Sequence, residues 1–426
     1  MEHLYQARIV YSPGVAPIND GALVSHDGRL VAVGARSALR KDYPAARITD
    51  FGDAIILPPL VNAHTHLELT LFPEWARLFN EKGTSPTFVD WMLRMVRVKR
   101  QIAHEAFAPA VATGLRASLQ SGVGAIGDIL SSFGARSAYL DTPMLGRVFF
   151  EILGRDPARN HQLLSSVTAL LDAHYGALLP ALSPHAPYTI SAEFLANVMT
   201  LATEKKLPLA IHLAESSAEV EFLQTATGPL IDKFYPFVGW RDTMPIATGK
   251  TPLTWLTSCG QLSSRTLLIH AVQVTAADIQ AIAAARASVV LCPRSNHRLH
   301  VGKAPAGAMH RAGIRLALGT DSLASNDSLS IWDELAFART WFNGELDPPA
   351  LLAMATINGA MALGLDGELG RLAAGWGSHF QVLRPATLPR LTEVEDFLTA
   401  PGRDAEVKAL YLHGCNQLTE QGSISR

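Results

Sequence analysis

Residues 55–68 read IILPPLVNAHTHLE, and this stretch decides the fold. An apolar run leads directly into His64 and His66, which are two positions apart. Side chains at i and i+2 of a strand point to the same side, whereas one face of a helix needs a spacing near four. The pair can therefore hold one metal at the end of a strand. The alternative is a pair of exposed loop histidines, and the rest of the chain decides between the two.

The composition excludes several classes of protein. Of the 426 residues, 48% are hydrophobic and 17% are charged, which favours a large buried core over disorder. A net charge of −2 without a basic stripe argues against a nucleic-acid surface. The three scattered cysteines Cys259, Cys292 and Cys415 are typical of a reducing compartment. We find no signal peptide and no apolar run long enough to span a membrane, so a soluble cytoplasmic protein is expected.

From residue 55 onward, short apolar runs alternate with longer amphipathic stretches such as Phe88–Gln120. Continuous apolar strands separated by helices indicate a parallel sheet that is covered on both faces. Eight such units predict an α/β protein with a closed (β/α)8 or TIM barrel. The predicted strands are Ile55–Val61, Val123–Ile129, Met144–Leu153, Leu178–Ser183, Pro208–Leu213, Thr266–Val272, Ser288–Cys292 and Leu316–Gly319.

The two ends of the chain have a different sequence pattern, which predicts short strands separated by breaks that contain Gly, Pro and Asp. We expect them to pair into one small β-domain, a β-sandwich built from residues 1–57 and 365–426. The barrel would then occupy residues 58–364. The long Trp- and Pro-rich segment Gly228–Gly260 is interpreted as an insertion near the barrel mouth.

Polar residues follow six of the eight predicted strands. Reactive groups of a (β/α)8 barrel lie at the carboxyl ends of its strands, so these residues are expected to meet. They are His64 and His66 after strand one, Ser183–His185 after strand four, His212 and Glu215 after strand five, His270 after strand six, Pro293–Asn296 after strand seven, and Asp321 and Ser322 after strand eight.

Three neutral imidazoles and one carboxylate suit a borderline divalent cation, Zn²⁺ or Fe²⁺. A bound metal lowers the pKa of a coordinated water and makes hydroxide available near neutral pH. Attack by hydroxide also needs a proton shuttle. Glu215 is close in sequence to His212 and is the candidate for that role.

Five segments resemble the amidohydrolase superfamily, and in particular its one-metal deaminase and chlorohydrolase branch. The resemblance covers essentially the whole chain. The segments are Asn62–Glu68, Ser183–Tyr188, His212–Glu215, Pro293–Asn296 and Leu318–Ser322 followed by Ser325 and Asn326.

This resemblance implies one divalent metal, Zn²⁺ first, with Fe²⁺ or Mn²⁺ as alternatives. Such barrels usually bridge a second metal with a carboxylated lysine on strand four, and Leu178–Ser183 contains no lysine. The implied roles are metal binding for His64, His66, His212 and Asp321, proton transfer for Glu215, polarisation of the attacking water or of the substrate for His270, and a hydrogen bond to a heterocycle for His185. Asp321 is also counted as catalytic, and Asn296 and Ser322 are counted among the substrate contacts.

Within the branch, the residues Glu68 and Arg294 make the sequence resemble the enzymes that deaminate 6-aminodeoxyfutalosine on the futalosine route to menaquinone. That substrate is an adenine nucleoside whose sugar carries a benzoate-bearing arm, and an arginine can pair with a carboxylate bidentately. Arg294 is the predicted partner, and the alternatives are Arg94, Arg97 and Arg100 on the helix after strand one. Glu68 would accept hydrogen bonds from ribose hydroxyls or a ring nitrogen, unless it is a structural carboxylate.

Three alternatives remain open from the sequence. The substrate could be S-adenosylhomocysteine, methylthioadenosine, adenosine or guanine. The reaction could be that of a triazine-type chlorohydrolase. A metal-binding scaffold without activity is disfavoured, because the chain retains every ligand and the acid. The expected partner is thus a small-molecule nucleoside, with no nucleic acid and no membrane, and the chain is a candidate homodimer.

Overall fold

A computed structural model of the chain describes residues 1–81, 83 and 85–418. It contains a parallel barrel sheet of eight strands and a second, smaller sheet of eight strands. Within these residues, no helix is both long and apolar enough to cross a membrane.

The barrel strands are neighbours in chain order, and every neighbouring pair is parallel. The ring closes where Thr65 bridges to Asp321, whose N–H donates to the carbonyl of His64 at 3.1 Å. The predicted (β/α)8 barrel is therefore confirmed. Its strands are β6 (Leu60–Thr65), β7 (Val123–Leu130), β8 (Leu145–Ile152), β9 (Leu178–Pro184), β10 (Leu209–Leu213), β11 (Thr266–His270), β12 (Ser288–Leu291) and β13 (Arg315–Leu318).

The first predicted strand is wrong in one respect, because Ile55–Val61 is not a single strand. Pro58 and Pro59 lack an N–H for a sheet ladder and divide the run. The part before them forms Ile55–Leu57, which belongs to the smaller sheet, and the barrel strand β6 begins only at Leu60.

The smaller sheet combines strands from both ends of the chain, so the prediction of a composite β-domain is confirmed. Its strands form one hydrogen-bonded sheet in which β5 lies between β1 and β14. We retain the domain limits 1–57 with 365–426, and 58–364, as a proposal. The strands are β1 (His3–Val10), β2 (Ile18–His26), β3 (Arg29–Ala35), β4 (Arg47–Asp50), β5 (Ile55–Leu57), β14 (Phe380–Pro385), β15 (Ala405–Leu412) and β16 (Cys415–Asn416).

Helices cover the barrel, and the stretch Phe88–Gln120 forms two of them instead of one. Pro109 cannot lie inside a continuous helix, so a new helix starts at Phe107 and places Pro109 in its first turn. The α-helices are α1 (Arg36–Asp42), α2 (Phe72–Leu78), α3 (Phe88–Lys99), α4 (Phe107–Gln120), α5 (Pro157–Leu170), α6 (Ala192–Glu204), α7 (Ser217–Thr225), α8 (Tyr235–Val238), α9 (Pro252–Cys259), α10 (Ala276–Ala285), α11 (Pro293–Arg298), α12 (Ala306–Arg311), α13 (Ile331–Trp341), α14 (Pro348–Met354), α15 (Ile357–Ala362) and α16 (Val394–Thr399).

The segment Gly228–Gly260 folds into short helical turns and is attached to the barrel by Arg155. The Arg155 guanidinium donates to the carbonyl of Thr243 at 3.2 Å and lies 5.4 Å from the centre of the Tyr235 ring. Phe234 of this segment lines the cavity at the barrel mouth.

Candidate active site

A cavity of about 280 Å³ opens at the carboxyl ends of the barrel strands. Eight of the residues assigned first to the site from the sequence line it, together with the alternative Arg100, while His64 lies buried behind them. Arg294 and Asn296 do not line it. The eight residues are His66, Glu68, His185, His212, Glu215, His270, Asp321 and Ser322.

Three histidines and one aspartate face one another at the inner end of the cavity. One ring nitrogen from each of His64, His66 and His212 lies within 4.8 Å of the others. Oδ1 of Asp321 lies 3.6 Å from Nε2 of His64 and 3.7 Å from Nε2 of His66. Nε2 of His64 is buried and has no hydrogen-bond partner among the residues described. A buried nitrogen aimed at two other imidazoles and a carboxylate fits a divalent metal.

The surrounding contacts orient these four groups. Nδ1 of His212 is 2.9 Å from the carbonyl of His185, which directs the other ring nitrogen of His212 into the group. Oδ2 of Asp321 accepts hydrogen bonds from the hydroxyls of Ser295 and Ser325, both at 2.7 Å, so Oδ1 remains for the metal. Burial lowers the pKa of His66 to about 3, which keeps this imidazole neutral, as a ligand must be.

The side chains of His64, His66, His212 and Asp321 form the metal group. Glu215 and His270 lie beside it on neighbouring strand ends. Burial, followed by the nearby carboxylates of Asp321 and Glu219, raises the pKa of Glu215 well above its ordinary value. Nδ1 of His270 lies 2.9 Å from Oδ1 of Asn296. Asn296 therefore orients His270 from outside the cavity and does not line it with the other residues predicted to contact substrate.

Glu219 is a supporting residue that sequence reasoning missed. Its buried carboxylate accepts the backbone N–H groups of Ala214 and Glu215, each at 2.9 Å. Ala214 has a φ of 53°, a left-handed conformation that costs free energy unless its surroundings stabilise it. Glu219 thus fixes the bend that presents Glu215 to the cavity. A glutamate four residues after Glu215 carries no sequence signal for this role.

Glu68 lines the cavity, yet protein groups occupy both of its oxygens. Oε1 contacts the ammonium of Lys99 and the hydroxyl of Ser131, and Oε2 accepts the N–H groups of Ser131 at 3.1 Å and Ser132 at 2.7 Å. Burial alone would raise the pKa of Glu68, but the Lys99 ammonium and these hydrogen bonds hold it below its ordinary value. This arrangement is that of a structural carboxylate, and Lys99 is a second residue that the sequence did not reveal.

Arg294 is directed away from the cavity. Its Nε donates to Oδ1 of Asn326 at 3.1 Å, and its Nη2 pairs with Asp327. The buried carboxylate of Glu334 lies 3.7 Å from the same Nε. Since these acceptors engage the guanidinium, the structure does not bring Arg294 together with the other predicted substrate contacts.

Among the alternative arginines on or beside α3, only Arg100 reaches the cavity. Arg94 donates to the carbonyl of Glu81 at 2.8 Å, and Arg97 pairs with the Glu81 carboxylate at 2.6 Å. Arg100 lines the cavity, with its guanidinium carbon 5.0 Å from the centre of the Phe237 ring. Arg100 is therefore the arginine that can meet a ligand.

A closed parallel barrel with a histidine-rich metal group at the carboxyl ends of its strands defines a class of metal-assisted hydrolases. The model of the amidohydrolase family matches residues 55–400, and the chain belongs to that family. The expectation of an amidohydrolase that acts on C–N bonds is thereby confirmed.

Two curated proteins are similar to this chain in sequence, and one solved structure is similar to it in fold. The aminodeoxyfutalosine deaminase of Deinococcus radiodurans is 33% identical over 372 residues, which cover 85% of each chain. The 5-methylthioadenosine/S-adenosylhomocysteine deaminase of Nitratidesulfovibrio vulgaris is 30% identical over 420 residues, which cover 93% of this chain and 88% of that one. The crystal structure of Helicobacter pylori aminofutalosine deaminase with methylthio-coformycin superimposes with a TM-score of 0.85 at 24% identity, covering 97% and 99% of the two chains.

Proposed function

We propose that this protein is a metal-dependent hydrolytic deaminase of an adenine nucleoside, with 6-aminodeoxyfutalosine as its preferred substrate. The observation that carries the proposal is the convergence of the metal group with Glu215 and His270 on one cavity. The relative from Deinococcus radiodurans, at 33% identity, supports the choice of substrate.

His64, His66, His212 and Asp321 would hold one metal, and zinc suits this set of three nitrogens and one oxygen. Fe²⁺ and Mn²⁺ are the alternatives. When bound, the metal lowers the pKa of water and supplies hydroxide near neutral pH.

The protein side chains supply the remaining steps. Glu215, whose pKa burial raises well above its ordinary value, can give a proton to N1 of the purine and then carry a second proton, released by the attacking water, to the departing amine. His270 stays neutral, because burial lowers its pKa to about 4, and it polarises the reacting centre. His185 hydrogen-bonds the heterocycle, and Ser322 lines the same cavity.

The walls of the cavity suit a flat base followed by a charged arm. Trp91, Met92, Met95 and Phe234 form apolar surface that excludes water from the base. Arg100 is placed to pair with a carboxylate on the arm. Adenosine has no such group, whereas 6-aminodeoxyfutalosine carries a benzoate.

A methylthioadenosine and S-adenosylhomocysteine deaminase is the second candidate, because a relative of that name is 30% identical. S-adenosylhomocysteine also carries a carboxylate, so Arg100 alone does not separate the two substrates. The size and rigidity of the benzoate-bearing arm favour the first candidate within a largely apolar cavity.

The deciding experiment measures ammonia release by the zinc-loaded protein from 6-aminodeoxyfutalosine, S-adenosylhomocysteine, methylthioadenosine, adenosine and guanine. We expect the highest kcat/KM for 6-aminodeoxyfutalosine. A higher value for S-adenosylhomocysteine or methylthioadenosine would assign the second candidate. Chloride release from a chlorotriazine, with no ammonia from any nucleoside, would overturn the proposal.

A further inference from the structure

Glu151 is a cavity carboxylate for which the proposed reaction has no role. It lies near the end of β8, is 8% exposed and lines the cavity. Its Oε1 is buried, and within residues 1–81, 83 and 85–418 no group donates a hydrogen bond to either oxygen. The nearest imidazole nitrogen, Nε2 of His185, is 4.0 Å away, which is too far for a hydrogen bond. A buried carboxylate without a donor is costly, so this site favours a ligand that brings one.

The position of Glu151 tells which part of a nucleoside it would meet. The His185 ring lies 4.9 Å from the ring of His212, at the metal end, and an oxygen of Glu151 lies within 4.8 Å of a ring nitrogen of each. Glu151 is also close enough to Lys99 to influence its charge, and Arg100 comes next along the chain. Glu151 therefore adjoins His185, which is assigned to the base, and lies within electrostatic reach of Lys99, the last residue of α3.

We infer that Glu151 is a specificity-determining residue that accepts a hydrogen bond from a sugar hydroxyl of the substrate. The inference rests on the proposed function, since the donors that the nucleoside part of the substrate offers, apart from the amine that leaves, are its 2′ and 3′ hydroxyls. Glu68, which the sequence suggested for this contact, has both oxygens occupied by Lys99, Ser131 and Ser132.

Metal binding is the competing role for Glu151. One atom each from Glu151, His185 and His212 lies within 4.8 Å of the others. This group shares His212 with the His64 and His66 group, and Nδ1 of His212 already contacts the carbonyl of His185. His212 therefore has only one ring nitrogen available, and the metal held with His64 and His66 would use it. This favours a hydrogen bond from a sugar hydroxyl over a second metal as the role of Glu151.

The test compares adenosine with 2′-deoxyadenosine and 3′-deoxyadenosine in the wild type and in the variants E151L, E151Q and E68Q. We expect the wild type to prefer adenosine over at least one deoxy substrate by roughly 10- to 100-fold in kcat/KM. This preference should fall below about 3-fold in E151L and to an intermediate value in E151Q. E68Q is the matched control, because it should lower kcat/KM for all three substrates equally and leave the preference intact.

A second readout does not depend on turnover. Calorimetry with coformycin and 2′-deoxycoformycin, and with the corresponding 3′-deoxy compound, should show the same preference in binding and its loss in E151L. An unchanged preference in E151L, its loss in E68Q, or loss of zinc from E151Q with unchanged binding preference would overturn the inference. Discrimination in binding without ammonia release would sink the proposed function and leave the role of Glu151 standing. Failure of the wild type to bind or discriminate any of these ligands would overturn the role of Glu151.

Discussion

Glu215 and His270 face each other across two neighbouring strand ends, with 3.6 Å between Oε1 of Glu215 and Nε2 of His270. The carboxyl side of a barrel brings such groups together although they are far apart in sequence. His270 has a φ of 70°, and this left-handed conformation, like that of Ala214 before Glu215, turns the backbone at the end of its strand. The pair and the metal group therefore act on the same small volume.

The variant E215Q tests the proton-transfer role. The amide keeps the shape of the side chain but cannot donate or accept the proton, so kcat should fall by about 10²- to 10⁴-fold. Zinc content should stay at the wild-type level, because Glu215 is not among the proposed ligands. Loss of zinc, or near-normal kcat, would show that the role is assigned to the wrong residue.

Metal content tests the one-metal site. Elemental analysis should find about one equivalent of zinc, iron or manganese per chain. Removing the metal with a chelator should abolish ammonia release and lower the Tm, since free metal at about 1,000 times its Kd stabilises the fold by about 4 kcal/mol. Two equivalents in the same group would contradict a single site.

A pair of variants tests which arginine meets the substrate carboxylate. R100M should lower kcat/KM for 6-aminodeoxyfutalosine by roughly 10- to 150-fold and that for adenosine only slightly, because a charge-assisted pair contributes about 1.5–3 kcal/mol. R294M is the matched control. It should lower the Tm by removing the guanidinium that pairs with Asp327 and lies beside the buried carboxylate of Glu334, and it should affect both substrates alike. The reverse pattern would restore Arg294 as the substrate contact.

The variant N296L tests whether His270 depends on its neighbour. Losing the acceptor for Nδ1 of His270 should lower kcat by about 10- to 100-fold, with KM nearly unchanged, as is usual for groups that orient catalytic side chains. N296D restores an acceptor and should recover most of the activity. If KM rises while kcat is kept, Asn296 contacts the substrate after all.

The sequence predicted the barrel because its strands are buried on both faces and appear as unbroken apolar runs. It failed at Ile55–Leu57, where the residues on both sides of Pro58–Pro59 are equally apolar, although the two strands belong to different sheets. The metal group could be predicted because histidines stand out where they follow apolar strands. Their roles, and that of Glu215, stay predictions until the measurements above are made.

The substrate contacts were harder to predict because they depend on partners that are distant in the chain. Arg294 is engaged by acceptors 32 to 40 residues away, and nothing in the Pro293–Asn296 segment reveals this. Glu151 had a weak signal, a lone carboxylate near the end of the apolar run Leu145–Ile152. Its importance emerges only when the oxygens of Glu68 are seen to be occupied and those of Glu151 are not.

The position of β5 between β1 and β14 has a consequence for synthesis of the chain. β5 ends at residue 57 and β14 begins at residue 380, so one edge of β5 stays unpaired while about 320 further residues leave the ribosome. At about 5–20 residues per second, this interval lasts on the order of 16–65 s. Throughout it, the newly made strands expose an apolar edge that can pair with other chains, until β14 emerges and covers it.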